Sequence, residues 1–209
     1  MIRGYKTLIA EDRAWVEPDK ATLAKMTAEQ KAAYWLYHLR DANAGQNMDP
    51  GRCCVVLEWS YPTVLGEPED KTPKPAIELV RLGMAAIPHI IAHLDDPRPT
   101  RCQGHWRRYW PESFYLLRYG DCCQQIFESI TGYTIYERND TNGYPMKDGK
   151  GTECKAKAES WWREYQKKRE KQILFEATEK GNDDSPEQAR RLIAKYPKAA
   201  LQPLRTGIR

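Results

Sequence analysis

The sequence predicts an all-α chain whose centre is two stacked helical hairpins, with extra N- and C-terminal helices and long loops. Three observations carry that expectation. Apolar residues recur at helical spacing in several separate stretches. The motif IELVRLG at 77–83 returns as FYLLRYG at 114–120, an interval of 37 residues that suits a helical repeat. The one β-prone run, CCVVL at 53–57, stands too isolated to build a sheet. At 209 residues the chain suits a single domain. It divides into an N-terminal segment (1–26), a helix with a long loop (27–74), a two-hairpin core (75–131), C-terminal helices (152–196) and a tail (197–209).

Residues 1–26 carry only a weak pattern. The first clear helix begins at Thr27, where T-A-E-Q reads as a capping box: the Thr27 hydroxyl and the Gln30 amide satisfy backbone N–H groups with no partner in the first turn. Ala32, Trp35, Leu36 and Leu39 then share one face, and Gly45 is the expected terminator. Residues 43–74 read as a long connection, with a turn at Asp49-Pro50-Gly51 and several further prolines. PAIELVRLG is a short helix opened by Pro75 and ended by Gly83. AAIPHIIAHLDD follows, with Ile87, Ile90, Ile91 and Leu94 in an i, i+3, i+4, i+7 stripe and Pro88 in the first turn, where its missing N–H costs little.

In the second copy Leu116, Arg118 and Gly120 stand where Leu79, Arg81 and Gly83 stand in the first. Asp121 reads as the N-cap of CCQQIFESITG, with Cys123, Ile126, Phe127 and Ile130 as its inward stripe. Glycine, asparagine and proline dipeptides make 132–151 a loop. One long helix is expected from about Thr152 to Lys180, presenting Ala158, Trp161, Trp162 and Tyr165. A last helix opens at Ser185, with Pro186 at its first position and Gln188 closing a box; Ala189, Leu192 and Ile193 should face inward.

LVRLG followed by AAIPHIIAHLDDPRPTR resembles a HEAT repeat: a short helix, a glycine turn, A-x-x-P opening a second helix, then acids and an arginine. LLRYGDCCQQIFESITG resembles the same unit with Cys122 and Cys123 in place of alanine. The Trp161-Trp162 helix is similar to one that follows such repeats in bacterial HEAT-like proteins. The resemblance covers 75–131, and 152–165 more loosely. It implies a short HEAT-like α-solenoid whose second helices line a concave face where extended partners bind.

Charge is uneven. Residues 98–118 hold five arginines against one acid, and 150–209 hold fifteen basic against nine acidic groups, within a formal net charge of +4. That distribution suits an acidic partner without requiring nucleic acid. No run reaches the roughly 18 apolar residues of a membrane helix and no leader is legible, so cytoplasmic residence without a membrane partner is expected. The six cysteines never form C-x-x-C, and free thiols are expected.

Three constellations bear on chemistry. His89 and His93 share a helix face at i, i+4, and Cys102 with His105 forms C-x-x-H, four zinc-type ligands in all. The glutamate of H-E-x-x-H is missing, so no general base is in place, and ordinary hydrogen-bonded histidines are the rival reading. Residues 105–110 interleave cations with aromatics (Arg107, Arg108, Trp110), which suits a single strand, an acidic peptide, or a packed helix with arginines reaching to water. Cys122 lies near a helix N-terminus, where a thiol is activated, whereas Cys123 falls on the core stripe. No phosphate loop or nucleophile elbow is legible. The expected function is a non-enzymatic protein- or peptide-interaction module contacting its partner through His89, His93, Arg107, Arg108 and Trp110, without a cofactor. Nucleic-acid binding through the Arg/Trp cluster and zinc binding through His89, His93, Cys102 and His105 stand as alternatives.

Overall fold

The computed structural model describes residues 2–41, 75–105, 114–137, 143–168, 170–180, 185–198 and 200. They are mostly helical, in the order α1 (Ile2–Ala14), α2 (Lys20–Lys25), α3 (Ala28–His38), α4 (Pro75–Leu82), α5 (Ile87–Ala92), β1 (Pro99–His105), β2 (Phe114–Arg118), α6 (Tyr119–Thr131), α7 (Gly151–Lys167), α8 (Glu170–Lys180) and α9 (Ser185–Lys195). The turn expected at Asp49-Pro50-Gly51, the 53–57 run, Gly45 and the tail from 201 lie outside the described residues.

The capping box of α3 forms as the sequence predicts. Thr27 Oγ1 accepts from Gln30 N at 3.2 Å, and Gln30 Oε1 accepts from Thr27 N at 2.9 Å. Ala32, Leu36 and Leu39 are buried, with Trp35 packed partly against them. The helix then tightens into a 3₁₀ turn over Leu39–Asp41. Two helices occupy the segment expected to be weakly patterned. Asp19 caps α2 through Thr22 N at 2.6 Å, and α1 is amphipathic only at Leu8 among its described side chains.

Helices α4 and α5 meet through a 3₁₀ turn at Gly83–Ala86, with Gly83 in the left-handed region at φ 61°. Pro88 sits in the first turn of α5, and Ile87, Ile90, Ile91 and Leu94 are buried. By length and composition Pro75–Ala92 is apolar enough to pass for a membrane span, contrary to the expectation from the sequence. Here it is two short helices whose Ala76, Leu79, Ala86, Ile87, Ile90 and Ile91 lie in the main core.

The second hairpin departs from expectation. FYLLR is a strand, not a helix, and pairs antiparallel with β1, His105 opposite Phe114 and Pro99 opposite Arg118. The reason is legible in burial. Leu117 and Tyr119 are buried while Leu116 and Arg118 are only partly so, an alternation of period two. Leu117 therefore takes the inward place that the repeat alignment gave to Leu116. The buried Thr100 hydroxyl donates to Leu117 O at 2.9 Å, closing the ladder near the core.

Helix α6 follows at once, three residues earlier than expected. Asp121 is therefore not its N-cap; from inside the first turn it accepts from Arg118 N (2.8 Å) and from Met146 N (2.9 Å). Cys122, Cys123, Ile126, Phe127 and Ile130 are buried, and Gly132 ends the helix at φ 66°. Glu128 Oε1 accepts from Ile135 N and Tyr136 N, pinning the returning chain.

Helices α6 and α7 start side by side. A Cβ placed on Gly120 would lie 2.6 Å from Leu94 O, and one on Gly151 would lie 2.4 Å from Met146 Sδ and 3.3 Å from Leu94 O. Further along, the Phe127 ring meets Trp161 edge-on at 5.6 Å, so the two helices run in the same direction. The long C-terminal helix expected from the sequence is broken at Lys168, whose backbone is extended (ψ 148°). Beyond it α8 and α9 pair around a separate cluster of Leu174, Leu192, Ala200 and Tyr196. Ile193, expected inside, is 47% exposed. The Gln188 amide donates to Thr131 O (3.2 Å) and Gly132 O (2.6 Å), the carbonyls left open at the end of α6; the Ser185 side chain of the expected capping box lies outside the described residues.

Candidate functional site

His93 is the predicted site residue whose surroundings are clearest. It ends α5, and its Nδ1 lies 2.9 Å from Asp96 Oδ2. Asp96 is also held by Arg98, from Nε at 3.0 and 2.9 Å and from Nη2 at 2.6 Å. Burial alone would raise the Asp96 carboxyl, but the hydrogen bonds from His93 and Arg98 outweigh it and hold the group well below the usual carboxylate range. Arg98 Nη1 reaches Glu11 Oε1 at 2.5 Å, and its guanidinium lies 4.7 Å from the centre of the Tyr119 ring.

The second oxygen of Glu11 accepts from Arg40 Nη2 at 2.9 Å, while Arg40 Nη1 donates to Asp12 Oδ1 at 2.7 Å. Arg40 is 4% exposed, an unusual place for a guanidinium, and its Nε donates to Tyr37 O at 2.9 Å. Tyr37 lies under Arg40 at 4.0 Å and stacks on Trp15 at 3.5 Å. The result is a chain of alternating charge, Asp96–Arg98–Glu11–Arg40–Asp12, with the His93 ring at one end, that ties α1 to the body.

A histidine oriented by an aspartate is half of a general-base dyad. The partners of His93 among the described residues are Asp96, Arg98 and the Tyr119 ring, none of them a nucleophile. His89 lies one turn back on α5, partly exposed. Arg107, Arg108 and Trp110 lie outside the described residues, as do the side chains of Cys102 and His105 in β1. The described residues place no three metal-type ligands together. His105 ends β1 six residues beyond Pro99, roughly 20 Å of extended chain. Cys122 is fully buried, not a surface thiol, because α6 is enclosed on all sides from Tyr119 to Phe127; burial also pushes the Cys123 thiol far up.

A different face gathers aromatic side chains. On α7, Trp161 stacks on Tyr133 (6.1 Å) and on Tyr165 (5.1 Å), and Trp162 lies nearly parallel to Tyr165 at 5.3 Å. The rings are partly exposed, with Arg163 and Lys167 exposed beside them. The helix has run past the core: its inward residues Cys154 and Ala158 are buried, and the aromatics at 161, 162 and 165 cover only its rim. This face lies near the end of α6, whereas Tyr119, the ring beside His93, lies at the start. His93 and Trp161 thus stand against different stretches of α6.

Between α7 and the returning loop lies a cavity of about 360 Å³ lined by Tyr136, Asp148, Lys150, Glu153, Cys154 and Lys157. Its charges already satisfy one another. Tyr136 donates to Asp148, and Glu153 accepts from Lys150 (2.9 Å) and pairs with Lys157 (3.1 Å). Burial pushes the Cys154 thiol up to about 11, so it stays protonated near neutrality.

Glu11, Arg40, Arg98 and Tyr119 carry no functional signal in the sequence. Their pairings span 29 and 87 residues, distances at which no local pattern signals a contact. Set beside known proteins, the chain matches no family model, no curated protein and no solved structure.

Proposed function

We propose that the chain is a non-enzymatic interaction module that holds a protein or peptide partner against the aromatic face of α7, with Pro75–Ala92 as a unit of HEAT-like kind. The observation that supports this reading is the row Tyr133–Trp161–Tyr165–Trp162, partly exposed and mutually stacked. Rings held by one another lose little freedom on binding, and tryptophan, tyrosine and arginine carry most of the energy at protein interfaces. Arg163 and Lys167 beside the row favour an acidic segment. His89 on α5 remains a flanking contact, and the reading does not depend on Arg107, Arg108 or Trp110.

The test is capture of partners by photo-crosslinking from position 166, next to Tyr165. Trp162→Ala/Tyr165→Ala should lose the captured protein, by about 2 kcal/mol or roughly 30-fold in affinity, while thermal unfolding shifts little. Equal capture by both chains would exclude this face. The same rings and cations also suit a single-stranded nucleic acid, as in sequence-tolerant strand binders. A steep loss of oligonucleotide binding between about 50 and 200 mM salt would favour that second reading, and no binding would remove it.

A further inference from the structure

We propose that α1 is an exchangeable acidic ligand of a two-arginine seat on the body of the molecule, and that an acidic peptide occupies the same seat when α1 lifts. This goes beyond the α7 reading and shares no residue with it. Both guanidiniums are gripped by groups outside α1, although Arg40 Nη1 also donates to Leu8 O of α1 at 3.3 Å. Arg98 is gripped by Asp96 through Nε and Nη2 and lies over Tyr119; Arg40 donates to Tyr37 O and lies over the Tyr37 ring. The carboxylates that face their outer nitrogens, Glu11 and Asp12, come from α1. Glu11 divides its two oxygens between the two arginines, the geometry of a bound carboxylate bridging a prepared receptor.

Elsewhere α1 is held by the Arg40 bond to Leu8 O, by Tyr37 Oη donating to Asp12 Oδ1 at 3.0 Å and by the close approach of Gly4 to Pro99. Leu8 is its buried apolar side chain among those described, a contribution of about 2 kcal/mol, while Tyr5 and Ile9 are 42% and 50% exposed. The Glu11 and Asp12 carboxylates are themselves 34% and 44% exposed, so salt reaches these pairs. A pivot is present as well. The chain leaves the helix at Trp15, which is fixed by stacking on Tyr37 and by donating to Glu17 Oε2 at 2.8 Å. Helix α1 can therefore leave the seat while its C-terminal end stays anchored. The adjacent Glu11 and Asp12 define the ligand class: a peptide presenting neighbouring carboxylates.

The test uses the full chain with Glu11→Gln and Asp12→Asn, which keep the size of α1 and remove its charge. The probe is a labelled peptide of the α1 sequence, IRGYKTLIAEDRA, followed by fluorescence anisotropy at low salt. The variant should bind it at least about tenfold more tightly than the wild-type chain, whose own α1 competes at high effective concentration. The same peptide carrying Gln and Asn at the two acidic positions should not bind. Equal binding by the two chains, or equal binding of the two peptides, overturns the proposal. Hydrogen exchange of the wild-type chain gives a second measurement free of substitutions. Raising salt from about 50 to about 500 mM should speed exchange in α1 while leaving α5 and α6 unchanged. Unaltered protection of α1 also overturns it. Neither readout depends on Trp162 or Tyr165, so failure here leaves the α7 reading standing, and the reverse.

Discussion

At the scale of single residues, Gly83 and Gly120 occupy matching places in the two copies of the motif but are glycine for different reasons. Gly83 turns the chain at positive φ in open space, whereas Gly120 lets α6 approach the backbone of Leu94. Gly83→Ala should cost about 1 kcal/mol from backbone strain alone. Gly120→Ala must push apart Leu94 O and Met146 and should cost about 3 kcal/mol. Urea midpoints of the two variants compare them directly, and equal losses would refute the distinction. Asp121 is the other decisive residue. Burial outweighs the hydrogen bonds from Arg118 and Met146 and pushes its carboxyl up to about 6. Folding thus raises this pKa, so the contribution of Asp121 is full below its unfolded value near 4 and is lost as pH rises through about 6. Asp121→Asn leaves one backbone N–H facing an amide N–H, a cost of about 1–3 kcal/mol. Relative to that variant, wild-type stability in urea should fall between about pH 4 and about pH 7; a flat difference would reject the burial argument. Asp96 runs the other way, its contribution present above the ordinary carboxylate range and lost on acidification.

At the scale of elements, Gln188 ties α9 to the end of α6. Gln188→Ala should cost about 1 kcal/mol overall but speed amide exchange throughout α8 and α9. Unchanged exchange there would mean that other contacts hold the pair. What could be read in advance follows a physical line. Elements announced by local chemistry were legible: the Thr27 box, Pro75, Gly83 and Pro88 delimit α3 to α5, and the Ile126–Phe127–Ile130 stripe gives α6. Strand β2 was not, because FYLLRYG satisfies period two and period 3.6 equally, and the ladder that decides between them comes from β1, whose Gly104 stands opposite Tyr115 and whose Pro99 stands opposite Arg118. Helix α1 escaped because it is fixed by charges on distant elements and not by an apolar stripe. Of the candidate site, the histidines and the tryptophan pair were visible as residues, but not the separation of His93 from Trp161 along α6.

At the scale of the whole molecule, the main core runs from Leu8 to Ala158, and Leu174, Leu192 and Ala200 form a second, smaller one. A satellite cluster of that size cannot share the cooperativity of the larger. Under increasing urea, α8 and α9 should lose amide protection before α5 and α6; simultaneous loss would show one cooperative unit. The common starting point of α6 and α7 has a further consequence. Neighbouring helices that point the same way cannot be joined by a tight turn, because the chain must first travel back over the full rise of α6, about 20 Å for its thirteen residues. The excursion between Gly132 and Gly151 is therefore a return journey with a minimum length, staked at either end by the carboxylates of Glu128 and Asp121. Trimming it below that distance would flip α7 end for end and carry its tryptophans to the opposite pole of the molecule.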